Sequence, residues 1–424
     1  MEPRPAAVTS SRSIIRRYYV VRLVDAVGPS FVLVNNVLFM HARGLTQFEI
    51  NCWAATYFMV AFLTDVPMGA FADAIGRRIA YIVGCSLGAV AFLIYFFSYH
   101  YIFFLIAAVI SASADMMRNG AVDAWAVDML SDANHEGPMD ILFSRASQIM
   151  QFGGMLSVVA GGFLARLDVA IPWLLGAGGQ LVMAATAEFL MRGEHPGTHS
   201  FHPREVVRRV FHRMVEGVRD AFASRPVLTL GLANAITMAA WSPFWYEWPQ
   251  FFNGEFRRGA QIASLIYCAT SIATMMGAEV VARFQPRLQW RPFFMFTVIG
   301  AQSATLLIAG LNTRNPWVVL TLFLIASACT GISNPVYLSW YNDQVEGEHR
   351  ATLLSFQSTC ARMGAAVGLP IGGRIADGFG FAVTWQTLGI FGAIAAPLYL
   401  SIGSGFVRNL LRLRRAVLPA GEAK

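Results

Sequence analysis

Twelve apolar stretches follow one another along this chain, and each is between 20 and 28 residues long. A helix of about 20 apolar residues is long enough to cross the hydrocarbon core of a lipid bilayer. The stretches lie near residues 18–41, 47–69, 79–98, 102–129, 146–165, 170–191, 227–251, 260–282, 292–311, 316–340, 352–376 and 382–407. They predict an all-α membrane protein with twelve transmembrane helices.

The composition excludes other classes of protein. Of the 424 residues, 56% are hydrophobic and only 13% are charged, whereas a soluble protein carries about 25% charged residues. An ordinary soluble enzyme and a disordered chain are therefore excluded. The five cysteines all lie within apolar stretches and have no C-x-x-C spacing, which predicts packed side chains and not a disulfide framework or a metal site. No cofactor motif is present, so no cofactor is predicted.

A net charge of +7 is consistent with a nucleic-acid partner, but the positions of the basic residues indicate a different role. They flank the apolar stretches, which is typical of residues that set membrane topology. If the N-terminus lies inside, the cytoplasmic segments contain 23 Lys and Arg residues and the opposite side contains five. This bias predicts that both termini face the cytoplasm and that no nucleic acid is bound.

The two halves of the chain resemble each other, which indicates a duplicated six-helix unit. Five positions in and just before the fifth stretch recur 211 residues later: Ser144, Ser147, Gly153, Gly161 and Gly162 correspond to Ser355, Ser358, Gly364, Gly372 and Gly373. Trp125 and Asp128 likewise correspond to Trp340 and Asp343. A parallel duplication implies a pseudo-twofold axis along the membrane normal, with a site between the halves.

The longest polar segment separates these halves and sets the predicted domains. We expect an N-terminal six-helix bundle over 1–190, a cytoplasmic linker over 191–226, and a C-terminal bundle with a basic tail over 227–424. Apolar residues at helical spacing and several arginines in the linker predict an amphipathic helix on the membrane surface. A site for a regulatory partner is the alternative interpretation.

The segment after the second stretch carries the most specific motif. It reads Gly69-Ala-Phe-Ala-Asp73-Ala-Ile-Gly76-Arg77-Arg78. This segment resembles the G-x-x-x-D-x-x-G-R-R signature of the major facilitator superfamily, and the preceding Asp-Val-Pro of 65–67 is similar to the acidic-x-Pro of many bacterial members. The resemblance implies a transporter of the bacterial cytoplasmic membrane, which takes a small-molecule substrate and is not an enzyme.

The resemblance also implies a role for these residues as a cytoplasmic latch. In the family the aspartate caps the start of helix eleven, and the arginine pairs with an acid at the end of helix four, here Asp128 or Asp123. Glycines allow close helix approach and tight turns. We therefore expect a neighbouring helix to approach closely at Gly69 and the chain to turn tightly at Gly76. The latch candidates are Gly69, Asp73, Gly76, Arg77, Arg78 and Asp128.

Two positions depart from the family pattern. Ala74 stands where the family usually has a basic residue, and Val281 stands at the position equivalent to Asp73 in the second half. The latch is therefore expected in the first half only. Topological charge alone is the alternative explanation for this basic segment.

Ionisable residues within the stretches are costly in a membrane and suggest function. The first stretch contains Arg22 and Asp25, and the fourth contains Asp115, Arg118 and Asp123. In the family, helices one and four line the central cavity. Two interpretations remain open and are compatible: an ion-pair lattice that ties helices together, or a proton or substrate site. For the second we take Asp25 and Asp115 as proton carriers and Arg118 as their charge partner.

The other cavity candidates lie in the second half. Aromatic residues near the end of the seventh stretch indicate either an interfacial belt or an outer gate that stacks on an organic substrate. An arginine in the eleventh stretch is equally consistent with structural pairing. These candidates are Trp241, Tyr246, Glu247, Asn334, Tyr337 and Arg362.

The direction of transport has the weakest signal. Many drug–proton antiporters of the family carry G-x-x-x-G-P-x-x-G-G in helix five, but here Ser157 and Val158 replace the central Gly-Pro. We favour proton-coupled export by a monomer, with proton-coupled uptake of a metabolite as the alternative. A non-transporting receptor or scaffold is a further alternative. The sequence contains no GxxxxGK[ST] loop, which excludes ATP-driven pumping by this chain.

Overall fold

The computed structural model describes residues 10–135, 137–193, 224–256, 259–284, 290–343 and 350–402, without the side chains of Asp140 and 350–355. Within these ranges the chain is helical. The helices are α1 (Ser11–Ser30), α2 (Asn35–Ala42), α3 (Gln47–Ile75), α4 (Arg77–Phe97), α5 (Tyr101–Arg118), α6 (Ala121–Asp132), α7 (Met139–Leu164), α8 (Ile171–Leu190), α9 (Arg225–Phe256), α10 (Ala260–Phe284), α11 (Arg291–Leu311), α12 (Pro316–Asp343) and α13 (Arg350–Ala393). Most of the predicted linker lies outside the described residues.

The helices agree with the twelve predicted crossings. Among the described residues, nine helical ranges are long and apolar enough to span a membrane. The last of these, Phe356–Ile402, is 47 residues long and contains the non-helical Gly380 (φ 79°), so it supplies two crossings. Helices α7 and α8 complete the set. Their exposed apolar side chains, such as Phe152, Leu156 and Phe189, are suited to contact with lipid.

Two of the crossings are broken, which the sequence did not predict. The first is divided into α1 and α2, with Pro29 in the last turn of α1. The fourth is divided into α5 and α6 at Asn119 and Gly120. Gly120 has φ of 73°, a left-handed conformation that glycine adopts without steric cost. The break places Asp115 and Asp123 on separate helices.

The predicted duplication is visible in the helix packing. A Cβ atom added to Gly153 on α7 would lie 2.8 Å from a side-chain carbon of Leu23 on α1. A Cβ atom added to Gly364 on α13 would lie 2.2 Å from the carbonyl oxygen of Ala235 on α9. Gly153 and Gly364 are 211 residues apart in the chain, and their contact partners, Leu23 and Ala235, are 212 residues apart. The first and fifth crossings therefore pack as the seventh and eleventh do.

The chain divides into two compact units, whose residues come from Met1–Val210 with Trp248–Cys268, and from Phe211–Glu247 with Ala269–Lys424. The repeated tryptophans are buried in the cores of different units. Trp125 packs in a cluster of the first unit, and Trp340 packs in a cluster of the second. The domain boundaries predicted at 190 and 227 stay predictions.

Candidate functional site

One face of α1 presents the first part of a charged network in the first unit. Tyr18, Arg22 and Asp25 are four and three residues apart, so their side chains share this face. Arg22 bridges two carboxylates: its Nη1 lies 3.2 Å from Oδ2 of Asp25, and its Nε donates to Oδ1 of Asp123 over 3.1 Å. A second guanidinium nitrogen also contacts Asp123. Arg22 thus ties α1 to α6.

Arg118 extends the network to a third carboxylate. Its Nη1 lies 3.6 Å from Oδ1 of Asp25 and also donates to Oε1 of Gln180 on α8 over 3.3 Å. Its Nη2 contacts Asp115 on the preceding turn of α5. The order of the five charged side chains is therefore Asp123, Arg22, Asp25, Arg118 and Asp115.

Each carboxylate of the network also accepts a hydrogen bond from a tyrosine hydroxyl. Tyr18 on α1 donates to Asp123 over 2.6 Å. Tyr81 on α4 donates to Asp25 over 2.8 Å, and Tyr57 on α3 donates to Asp115 over 2.5 Å. Such hydrogen bonds to charged acceptors are short and strong. The network therefore spans α1, α3, α4, α5 and α6, in agreement with the predicted convergence of the first and fourth stretches.

The two ends of the network are more accessible than its middle. The side chain of Asp25 is 15% exposed and that of Arg118 is 10% exposed. The side chains of the end carboxylates, Asp115 and Asp123, are 32% and 39% exposed. Each end carboxylate is therefore more than twice as exposed as Asp25, which is packed in the middle of the network.

Gly84 on α4 provides the space that Arg118 occupies. A Cβ atom at this position would lie 2.6 Å from Cγ of Arg118 and 2.9 Å from the carbonyl oxygen of Ala114. Both distances are too short for a carbon atom, and the second involves the backbone. Arg118 is held at its far end by Asp25 and Asp115, so it has little freedom to move aside.

We therefore expect Gly84→Ala to destabilise the protein by about 1–3 kcal/mol, the typical cost of overpacking, and to lower transport by displacing Arg118. Thermal unfolding in detergent measures the first effect. Gly178→Ala on α8 is the matched control, because a Cβ atom there would meet no described atom within 4 Å. Equal melting temperatures for the two variants would contradict this account of Gly84.

Within the first unit, the arginine of the latch motif pairs with one of the two acids predicted for it. Nη1 of Arg77 donates to Oδ2 of Asp128 over 2.6 Å, whereas Asp123 belongs to the charged network. Oδ1 of Asp73 lies 3.9 Å from Nε of Arg77. Gly76 adopts φ of 96° between α3 and α4, as the predicted tight turn requires.

The surroundings of two further latch candidates, Arg78 and Gly69, differ. Arg78 donates to Oε1 of Glu188 over 2.6 Å, which ties α4 to α8. A Cβ atom at Gly69 would have no described atom within 4 Å. The close helix approach predicted at Gly69 is therefore not found among the described residues.

The Arg77–Asp128 pair permits a direct test. Because the Asp128 side chain is 58% exposed, solvent screening limits the pair to about 1 kcal/mol. We expect Arg77→Ala to shift the balance of access states toward the inward-open state by up to about fivefold, measured as faster thiol labelling of a cysteine placed at Asn119. Asp73→Asn should act in the same direction.

Arg283→Ala is the matched control for this test. Arg283 forms a similar but more exposed pair with Glu279 over 2.8 Å, outside the motif. Unchanged labelling and flux in both motif variants, or equal changes in the control, would remove the latch from the mechanism.

The second unit contains an equivalent arginine–aspartate pair. Arg291 at the start of α11 contacts Asp343 at the end of α12, and its Nη2 donates to Ser339 over 3.1 Å. Asp343 is the residue that the sequence repeat matched to Asp128. Val281 stands at the position equivalent to Asp73, so the second unit has the arginine–aspartate pair without this aspartate, and a latch in the first half only stays a prediction.

Glu247 in the second unit is fully buried. Its Oε2 accepts a hydrogen bond from Nε1 of Trp385 over 2.7 Å. Trp241 is buried too, and its ring contacts Phe244 edge to face with centroids 5.5 Å apart. Tyr246 is half-buried. Trp241 is therefore packed inside the protein, and the interfacial belt and the outer gate stay predictions for this aromatic segment.

The remaining predicted cavity residues differ in burial. Tyr337 is buried, and its hydroxyl donates to the carbonyl oxygen of Leu230 over 3.3 Å. Asn334 is exposed and Arg362 is half-buried. In the described part of the chain, no group of three or more His, Cys, Asp and Glu side chains is arranged to hold a metal ion.

The sequence did not identify the polar side chains that surround the ionised ones. Tyr18 could have been identified from its spacing, because it lies one turn before Arg22 on the same helix. No spacing in the sequence identifies Tyr57, Tyr81 and Gln180, because their partners are on other helices.

Comparisons with known proteins agree with this architecture. The family model of the Major Facilitator Superfamily matches residues 20–303 and 230–415. YxaM of Bacillus subtilis strain 168, an uncharacterised MFS-type transporter, is 18% identical over 364 residues, covering 86% of this chain and 89% of YxaM. A crystal structure of the nucleoside transporter NupG is similar with a TM-score of 0.76 at 12% identity, covering 92% of this chain and 98% of NupG.

A further structural neighbour is a bacterial homologue of the human lysosomal transporter Spinster, in an inward-facing and occupied conformation. Its TM-score is 0.68 at 12% identity, with 93% of this chain and 97% of the homologue covered. At this identity the two solved structures establish the fold alone. With the family match over most of the chain, the protein belongs to the Major Facilitator Superfamily and is a multi-pass secondary transporter with the twelve-helix fold of that family.

Proposed function

We propose that this transporter moves a small organic solute across the bacterial cytoplasmic membrane in exchange for protons, and that it exports the solute. The network in the first unit is the proposed proton site. The latch motif is the proposed device that holds the cytoplasmic side closed in one access state. Each proposal concerns residues that touch one another within a single chain, so we propose that a monomer is sufficient.

An imbalance of charge is the observation that carries the proton proposal. Three aspartates share two arginines, so the fully ionised network has a formal charge of −1. One added proton makes it neutral. Unbalanced charge is costly within a membrane, and a change in water access alters which of the two states is stable. Alternating access and proton exchange are coupled in this way.

The proton belongs to the network as a whole. Arg22 and Arg118 both contact Asp25, so a change of charge at one carboxylate is felt at the others. The two arginines connect all three carboxylates, so the added proton is not assigned to a single one of them. Asp25 and Asp115, chosen from the sequence, are therefore proposed to share the proton with Asp123.

Export is supported by the glycines that remain of the antiporter motif on α7. A Cβ atom at Gly153 would meet Leu23 at 2.8 Å, and one at Gly161 would meet the carbonyl oxygen of Phe31 at 2.2 Å. These glycines hold α7 tightly against the segment that begins with α1. Proton-coupled uptake is the second candidate, because Ser157 and Val158 replace the Gly-Pro of the exporters.

Proteoliposomes that contain a pH-sensitive dye test the coupling. Solutes are added from a panel of nucleosides, organic anions and organic cations; the nucleosides are included because NupG, a structural neighbour, is a nucleoside transporter. We expect at least one solute to produce a protein-dependent proton flux, and an imposed pH gradient to drive its accumulation. Solute flux that neither moves protons nor responds to pH would exclude proton coupling.

Membrane vesicles of opposite orientation test the direction. In everted vesicles, an acidic lumen should drive solute accumulation by an exporter that exchanges it for protons. Accumulation in right-side-out vesicles with an acidic exterior would establish uptake instead. The same vesicles, treated with a protease, test the proposed cytoplasmic location of both termini, which depends on the 23 to five distribution of basic residues.

A further inference from the structure

A cavity of about 890 Å³ lies in the first unit, far from the latch motif. It is lined by residues from the ends of α2, α7 and α9 and from the start of α10. His41 in its wall contacts Gln47, the first residue of α3, with Nε2 and Oε1 2.9 Å apart. Because α3 has 29 residues and rises about 1.5 Å per residue, the latch at its other end is roughly 40 Å away. The cavity thus lies at the predicted external end.

The lining combines one guanidinium, one imidazole and three amides. The polar side chains belong to His41, Arg166, Gln250, Asn253 and Gln261. Arg166 is exposed, and its guanidinium makes no hydrogen bond or ion pair with the described residues. Its charge is therefore available to a ligand.

Gln261 supplies a second, independent indication of a ligand. Its Oε1 is buried and has no hydrogen-bond partner among the described residues. An unpaired buried amide is costly, and a half-turn of this amide would present its NH₂ group to an acceptor instead. A ligand with oxygen atoms would satisfy it.

The local charge favours an anion. Gly259 and Ala260, at the positive end of the α10 dipole, also line the cavity. The neighbouring acids, Asp168 and Glu255, do not line the cavity, and the Asp168 carboxylate accepts a hydrogen bond from the backbone N–H of Ala170 over 2.8 Å.

We infer that this cavity binds organic anions. A carboxylate of the ligand pairs with Arg166, and the amides of Gln250, Asn253 and Gln261 bind its other polar atoms. The volume is within the range of small-molecule sites, about 300–1,000 Å³. The inference rests on the proposed function in one respect: it makes organic anions the class of solute that the transporter releases or takes up at this end.

Charged thiol reagents of similar size test the inference without any transported solute. A cysteine is introduced at Asn253, and its reaction rates with a sulfonate-bearing and a trimethylammonium-bearing methanethiosulfonate are compared. The control cysteine is placed at Asn312, an exposed position in the turn after α11, and the parent chain gives the background. We expect the anionic-to-cationic rate ratio to be roughly tenfold higher at Asn253, and the anionic rate to level off as the reagent concentration rises.

Arginine variants then identify the charge responsible. Arg166→Gln should lower the rate ratio at position 253 severalfold, while Arg314→Gln, which removes an exposed arginine outside the cavity, should not. If Arg166→Gln fails to fold, the ratio at position 253 of the parent sequence should fall severalfold as the salt concentration is raised, because salt screens the exposed guanidinium.

Two results would overturn the inference: a ratio at position 253 equal to that at position 312, or an anionic rate that stays linear with concentration. The labelling needs no pH gradient. The labelling result can therefore contradict anion binding while proton coupling holds, and it can support anion binding when proton coupling is absent.

Discussion

Asp25→Asn and Asp115→Asn are each expected to abolish gradient-driven accumulation of solute while solute exchange continues. Either substitution leaves two aspartates and two arginines in the network, which is then neutral without a proton. Asparagine keeps the shape of aspartate and still accepts a hydrogen bond from Tyr81 or Tyr57, so the fold should persist. The network loses its proton step and keeps its contacts.

The size of the effect follows from the gradient. A pH difference of one unit corresponds to about 1.4 kcal/mol and supports about tenfold accumulation for each coupled proton. We expect the accumulation ratio of the variants to fall to one in reconstituted vesicles, with exchange measured in parallel. Asp168→Asn, which changes an exposed acid outside the network, is the matched control and should accumulate solute normally.

The same substitution at Asp123 distinguishes a shared proton from a local one. If the proton belongs to the whole network, Asp123→Asn should also uncouple transport. If uncoupling occurs for a single aspartate only, the proton resides on that residue. Uphill transport by both Asp25→Asn and Asp115→Asn would mean that neither acid is the sole essential carrier, and Asp65 or the buried Glu247 would become the next candidate.

Arg118→Gln is expected to be the most destabilising single change in the network. It leaves three carboxylates with only Arg22, and the Arg118 side chain is 10% exposed, so the loss occurs away from water. Removal of one partner of a buried ion pair costs about 3–5 kcal/mol. We expect a much lower melting temperature in detergent and weak expression.

A double variant separates charge from packing in this prediction. Arg118→Gln combined with Asp115→Asn leaves two aspartates and one arginine, which restores the formal charge of −1. We expect the double variant to recover a large part of the lost stability. No recovery would mean that the shape of Arg118 against Gly84 and Gln180 matters more than its charge, and the argument from charge balance would fail.

Much of the fold could be predicted because the relevant signals are local in the chain. A helix that crosses a bilayer must satisfy its own backbone hydrogen bonds and expose apolar side chains. Twelve apolar stretches therefore predicted twelve crossings, although they gave no sign of the break at Asn119 and Gly120. The glycine pattern at Gly153 and Gly364 predicted the duplication, and the packing of these residues agrees with it.

The charged residues of the network could also be identified from the sequence, because any ionisable group within an apolar stretch is conspicuous. Their pairing could be predicted only along one helix. Arg22 with Asp25 and Arg118 with Asp115 follow from a spacing of three residues. The contact of Arg22 with Asp123 does not, and neither does that of Arg118 with Asp25.

Tertiary structure decided which helix supplies each remaining partner. Arg77 and Arg78 are adjacent in the latch motif, yet they bind acids on α6 and α8 respectively, because successive residues of a helix point about 100° apart. From the sequence, Asp128 and Asp123 were equally possible partners for Arg77. The rotation of α6 about its axis brings Asp128 to Arg77 and Asp123 to Arg22. The sequence by itself determined the number of crossings, the family and the residues that carry charge inside the membrane. The rotation and register of packed helices, which depend on contacts between distant parts of the chain, determined how those charges are shared.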